Sequence, residues 1–392
     1  MNVTHKGVVT LLRSGITGEK LSLPEGFRLE DGFEILRKQS AVALACEGAA
    51  RCGVDGAHPV MQKMLLCSYR SLMRHELQMK SLEAVFADFD KHGIRYMPLK
   101  GTVLKKLYPK PHLREMCDAD ILIQMDQYEK IAEIMREQGF SEVRESHHEL
   151  VWQNKAINIE LHKCLFERAE QEFYKFFGDG WGRANKETSH RYNLRTEDMY
   201  VHLFAHMAKH YRLSGIGCRH IIDLYVFRKN NPDMDEEYLE NTMKKLHLLD
   251  FYHNIHRLLD VWFGEETWDE KTQFITEYIF SGGNWGSLET KFMTDNAVRM
   301  DTAGEKYSKI HSFVRVIFPP LEKMQYDYRI LFRYPRLYPL FWVPRWLKGL
   351  FIRPGEVLKK FRMLFAVTDE KMTEQQRALE YVGLGFFKDM EE

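Results

Sequence analysis

Polar and apolar positions along the chain change period several times, and each change predicts an element. Through roughly the first 90 residues apolar side chains recur at helical intervals, as in "GFEILRKQSAVALACEGAARCGV" and the long stretch from His58 to Gly93. Leu82, Val85, Phe86 and Phe89 make one stripe, and Gly93 predicts the stop just beyond the helix end. "IRYMPLKG" then predicts a short strand, which Pro98 confines to an edge or to the strand's last residues. "MCDADILIQ" predicts a second strand. Side chains two apart on a strand share a face, so Cys117, Ala119, Ile121 and Ile123 are expected in the core and Asp118 and Asp120 opposite.

Asp126 then predicts a helix cap with Glu129 three residues on, and Tyr128, Ile131, Ile134 and Met135 give that helix its buried side. "SEVRESHHELVWQN" and "AINIELHKCLF" predict a hairpin. In its second strand Ile157, Ile159 and Leu161 face one way, and Asn158, Glu160 and His162 the other. Helical periodicity returns from Glu197, with Thr196 as the expected cap, and continues to about Gly282. Residues 284–306 turn polar and glycine-containing, as in a linker or long loop, and the remainder is aromatic, basic and punctuated by proline. The pattern predicts an α+β fold, a small mixed sheet flanked by N- and C-terminal helical segments. Its expected divisions are an N-terminal helical segment (1–75), a sheet-bearing core (76–192), a helical domain (193–300) and an aromatic-basic C-terminal region (301–392).

Composition narrows the class only slightly. The 392 residues are 44% hydrophobic and 29% charged, which excludes a disordered chain. Fifty-six basic residues balance 56 acidic ones, so bulk charge points to no partner. The six cysteines form no C-x-x-C pair, which argues against a zinc ribbon and for a reduced compartment. The N-terminus has too short an apolar stretch for a signal peptide, and no apolar run of ~20 residues predicts a membrane span. A cytoplasmic protein is expected.

The candidate chemistry lies with the carboxylates. Two like charges side by side repel and raise each other's pKa, so something must offset the cost of Asp118 beside Asp120. A third acid, Glu160, sits on a polar strand face of its own. Three such oxygens suit hard divalent cations, Mg2+ or Mn2+, which take carboxylates together with phosphate oxygens. Two ions so held can activate a hydroxyl and neutralise a leaving pyrophosphate.

The run "LKG", "LYP", "LREMCDADILI", a helix, "GF" and then "IELH" resembles the polymerase-beta-like nucleotidyltransferase superfamily. It is more closely similar to a bacterial family of uncharacterised nucleotidyltransferases, and "HLFAHMAKHYRLSGIGCRHIIDLY" resembles that family's helical segment. The resemblance spans roughly Glu83 to Phe227. It implies metal binding by Asp118 and Asp120, with Glu160 as the acid that takes the acceptor's proton or binds the catalytic metal. It also implies a nucleoside triphosphate as substrate, met by Lys100 and the Gly101-Thr102 turn. Gly-Thr stands where the superfamily usually has Gly-Ser or Gly-Gly.

Other residues carry two readings each. Arg114 either clamps a phosphate or pairs with one of the acids. His162 shares the face of Glu160 and either orients it or contacts substrate. His202, His206 and His210 recur every four residues, but without an H-E-x-x-H arrangement they predict core or interdomain hydrogen bonds rather than a metal site. Lys209, His210 and Asp223 are candidates for lining the cleft. The segment from Tyr328 to Gly355 has six basic residues, no acid and interleaved aromatics. It suits an RNA or membrane surface, or an aromatic wrap with Phe332, Leu337, Phe341 and Trp342 buried. The activity expected is transfer of a nucleoside monophosphate to an acceptor hydroxyl. Its rivals are a non-catalytic nucleotide-binding or interaction protein and a toxin-like RNA nucleotidyltransferase.

Overall fold

A computed structural model describes residues 2–283 apart from 147 and 169, an interrupted stretch between 314 and 358, and residues 377–384. The linker expected at 284–306 lies outside the described residues. Four helices open the chain: α1 (Val3–Thr17), α2 (Leu29–Lys38), α3 (Val42–Arg51) and α4 (Pro59–Lys91). Pro59 opens α4, where its missing N–H costs nothing. Gly93, at φ +70°, follows its end as the sequence predicts. Helix α4 runs unbroken through residue 75. Val60, Met61 and Met64 pack with the N-terminal helices, whereas Leu82, Val85 and Phe89 pack beneath the sheet.

The sheet follows. After α4 come β1 (Tyr96–Pro98), the short helix α5 (Lys100–Leu104), β2 (Asp118–Ile123), α6 (Tyr128–Glu137), β3 (Ser141–Glu145), β4 (Glu149–Gln153) and β5 (Asn158–His162). The five strands lie in the order β1-β2-β5-β4-β3. Strands β2 and β5 are parallel and the other neighbours antiparallel, so the sheet is mixed. Pro98 ends the edge strand β1, where its missing N–H breaks no ladder. Ala119, Ile121, Ile123, Ile159 and Leu161 pack on one face against α4 and α6. On the other face Met97 and Leu122 join the helical core.

Beyond the sheet lie α7 (Gln171–Phe177), a small hairpin of β6 (Ala184–Lys186) and β7 (Tyr192–Leu194), then α8 (Thr196–Leu213), α9 (Cys218–Asn230), α10 (Glu236–Lys245), α11 (Leu249–Phe263) and α12 (Glu270–Ser281). These helices share one apolar core with α1–α3. Gln39 ties the two groups together: its Nε2 donates to the carbonyls of Ile279 at 2.8 Å and Gly282 at 3.0 Å, and its Oε1 accepts from Cys218 N–H at 2.8 Å.

Several expectations need correction. "SEVRESHHELVWQN" is two strands, β3 and β4, because Ser146 accepts Glu149 N–H and closes a turn inside it; β4 and β5 then form the expected antiparallel pair. Cys117 is exposed, because the β2–β5 ladder starts only at Asp118. Asp126 falls in a 3-10 turn that shifts the start of α6, so Gln127 precedes the helix without a side-chain cap. Thr196 is the first helical residue rather than the cap, and Glu197 and Asp198 complement the helix dipole in its first turn.

The tail also departs from the buried wrap. It comprises α13 (Ile330–Arg333), a 3-10 stretch (Pro335–Phe341) and α14 (Trp342–Phe351). Leu337 is 39% exposed, Leu340 69% and Phe351 79%, while Phe341 and Trp342 are only half-buried. The side chain of Phe332 is not among those described. The prolines divide the segment into short pieces that pack on one another and on nearby residues. Trp342 and Trp346 stack edge-on to Phe318, and their indole N–H groups donate to the carbonyls of Pro319 and Ile317. Among the described residues no helix is long and apolar enough to cross a membrane.

Candidate active site

The register of β2 against β5 sets Asp120 directly beside Glu160, and Leu122 beside His162. Paired residues on neighbouring strands point to the same face, so the acids from two strands converge. One ligand atom from each of Asp120, Glu160 and His162 lies within 4.8 Å of the others. Asp118 stands outside that trio, one pair earlier on the same face and level with Asn158.

The repulsion among these groups is offset by two donors on one oxygen. Asp120 Oδ1 accepts from Lys100 Nζ at 2.9 Å and from His162 Nε2 at 2.9 Å. Burial pushes the Asp120 carboxyl up, but Lys100 and His162 overcome it and hold the group well below the usual carboxylate range. Asp118 is helped less: burial and the charge of Asp120 raise it by more than Lys100, Arg219 and Arg114 lower it. Burial, followed by the charges of Glu149, Asp120 and Asp118, pushes Glu160 up to about 8. The site is therefore short of positive charge. Among the described residues, Asp120, Glu160 and His162 stand close enough together to share a cation.

Lys100 reaches Asp120 because its own backbone is left-handed, at φ +42°, uncommon for a residue with a Cβ. The following Gly101 serves a different need. A Cβ there would stand 2.5 Å from Arg114 Nη1, so glycine lets the guanidinium approach. Thr102 is buried; its N–H donates to Leu99 O at 3.2 Å, and its Oγ1 has no partner. The turn thus offers a spare hydroxyl rather than the Thr102 N–H.

Arg114 pairs with neither acid of the site. It forms a bidentate ion pair with Asp223 of α9, Nε to Oδ1 and Nη2 to Oδ2, both at 2.8 Å, and Tyr108 donates to Asp223 Oδ1 at 2.7 Å. Arg114 and Asp223 are 6% exposed, so this is a closed clasp between the segment before β2 and the helical region, and Asp223 lines no open cleft.

Helix α8 presents its histidines near the acids. His202 is wholly buried and packs edge-on to Phe166 and Phe177, with neither ring nitrogen bonded, a departure from the hydrogen bonds expected. His206 and His210 share a hydrogen bond of 3.2 Å. Burial, and then the charge of Lys100, holds His202 down to about 3 and His206 well below its ordinary value, so both rings are neutral. Lys209 pairs with Glu170 at 2.7 Å.

Sequence reasoning missed four residues around the acids. Arg219, at the start of α9, donates to Glu115 O and lowers the Asp118 carboxyl through its charge. Its signal was its place four residues before Asp223. His148, Glu149 and Arg144 enter from the β3–β4 hairpin, and only the hidden turn in "RESHHEL" could have announced them.

Residues 27–264 match the model of a family described as uncharacterised nucleotidyltransferase. The chain belongs to that family. It is thus a transferase by descent, and the family's extent takes in α2 to α11 as well as the sheet. No curated protein and no solved structure matches the chain. The resemblance drawn from the strand motifs holds, over a longer stretch than those motifs covered.

Proposed function

We propose that this nucleotidyltransferase moves a nucleoside monophosphate from a nucleoside triphosphate to a hydroxyl on an acceptor, releasing pyrophosphate. The observation that carries the reading is the pairing of Asp120 with Glu160, which gathers acids from two strands on one polar face. Mg2+ or Mn2+ held by Asp118, Asp120 and Glu160 would supply charge neutralisation for the phosphates and activation of the attacking hydroxyl. Glu160 would take the hydroxyl's proton once the cation has displaced its own, because a carboxyl raised to about 8 is largely protonated at neutral pH without metal. His162 holds Asp120 through Nε2 and fixes the direction of its carboxylate. Lys100, balanced on Asp120 without substrate, turns to the triphosphate beside the Gly101-Thr102 turn. Arg114 acts as a positioning residue, because Asp223 occupies its Nε and Nη2.

Equilibrium binding of a nucleoside triphosphate should depend strongly on Mg2+ and be lost in Asp118→Asn. Labelled triphosphates screened against lysate fractions should then label an acceptor. Binding indifferent to Mg2+ would sink the reading. The exposed tail supports an additional contact with RNA or a membrane, its arginines and lysine interleaved with apolar side chains. Vesicle and RNA binding across a salt series separates the two partners.

A further inference from the structure

We propose that His148, Glu149 and His162 form a second metal site, for a transition-metal ion of the zinc class, on the flank of the acid cluster. Glu149 on β4 and His162 on β5 are direct partners across the ladder, and His148 precedes β4 in the turn. One ligand atom from each of the three lies within 4.8 Å of the other two. Two imidazoles and a carboxylate, with coordination positions left open, are a donor set that Zn2+ takes readily. Mg2+ prefers oxygen throughout, so the nitrogen ligands separate this site from the neighbouring acids.

The tautomer of His162 carries the argument furthest. A carboxylate can only accept, so the ring nitrogen 2.9 Å from Asp120 Oδ1, Nε2, bears the hydrogen. The lone pair then lies on Nδ1. That atom is buried and has no hydrogen-bond partner, in a residue only 4% exposed. Interiors rarely leave such a nitrogen unmatched. A histidine whose far N–H is held by a carboxylate is the usual arrangement of a metal ligand.

The spacing agrees. His148 Nε2 stands 3.2 Å from Glu149 Oε2. Two ligands each about 2.1 Å from one ion, set roughly 90–110° apart, are separated by about 3.0–3.4 Å. The outer atoms are already held. His148 Nδ1 lies 3.2 Å from both Glu167 Oε1 and Ser146 Oγ, and Arg144 donates to Glu149 Oε1. Each ligand thus has its orienting partner: Asp120 for His162, Glu167 for His148 and Arg144 for Glu149. The alternative is a plain ion pair in which a charged His148 bridges Glu149 and Glu167; it gives His162 Nδ1 no role.

The site stands whether or not the chain transfers nucleotides, and its test reads binding alone. The full chain, stripped by a chelator, is titrated with Co2+ as a visible probe in excess Mg2+. One Co2+ per chain should bind with the absorption bands of a nitrogen-containing site of low coordination number, and Zn2+ should displace it. His148→Gln and Glu149→Gln should each weaken that binding by about 10–100-fold or more, while Asp118→Asn leaves it in place. Imidazole NMR of the unmodified protein supplies a readout that needs no variant: Zn2+ should shift two histidine rings. Absence of Mg2+-resistant Co2+ binding, or binding unchanged in both hairpin variants, overturns the proposal.

Discussion

The two faces of the sheet use the same strands for opposite ends. On one, Ala119, Ile121, Ile123, Ile159 and Leu161 close against α4 and α6 with no charged side chain among them, though Trp152 beside Ile159 keeps its indole N–H unpaired. On the other, Asp118, Asp120, Glu160 and His162 are held among buried groups with too few cations, and Thr102 and His162 keep polar atoms unpaired. The first face lowers the energy of the fold. The second raises it, and such a cost persists where a ligand is to be met. Alternation along β2 is what allows both, because adjacent residues never share an environment.

The sharpest separation of the faces is Asp118→Asn against Ile121→Ala. The first should lower transfer by about 10³-fold or more, with a melting temperature unchanged or raised, since it removes a repulsion. The second should cost about 2–5 kcal/mol of stability and leave Mg2+-dependent nucleotide binding intact in the folded fraction. Thermal melts and pyrophosphate release on both variants check this, and the contrast fails if Asp118→Asn unfolds the chain.

Next comes the clasp. Asp223→Asn leaves the buried Arg114 without a full counter-charge and should cost about 3–5 kcal/mol, as measured by urea unfolding. Asp120→Asn belongs between the two faces. Because Lys100 and His162 both depend on this carboxylate, it should lose transfer and also about 1–3 kcal/mol of stability, unlike its neighbour Asp118. Equal stability of the two asparagine variants would show that Lys100 does not need its partner.

A pH slope reads the same repulsion without any substitution. Folding raises the Glu160 carboxyl from its ordinary value to about 8, so the folded state binds that proton more tightly than the unfolded chain. Its contribution is full below the ordinary glutamate value and declines as pH rises toward 8. Without divalent metal, denaturant midpoints should fall across that window, and Glu160→Gln should flatten the fall. Added Mg2+ should do the same, by replacing the proton.

Much of the sheet was legible in the residues themselves. Strict alternation in "DADILI" and "INIELH" fixed which side chains face the core and placed Glu160 with the aspartates. What the sequence hid was long-range. Nothing local says that Arg114 meets Asp223, because the choice among several acids is made by the packing of α9. The shared core of α1–α3 with α8–α12 is likewise a contact between distant segments. The short turn at Ser146 was hidden by a run of polar residues that continues the strand pattern, and with it went His148 and Glu149. The sequence left the tail open between an exposed surface and a buried wrap, because aromatic content describes what could be buried, not whether it is.

Gly101 adds a practical warning. Its missing side chain leaves room for the Arg114 guanidinium, which holds Asp223 109 residues further along the chain. In any random-mutagenesis survey Gly101 would score as indispensable and, sitting next to Lys100, would be credited to substrate contact. The first symptom of Gly101→Ala should instead be a looser joint between the sheet and α9, detectable by faster amide exchange along α9 before any nucleotide is added.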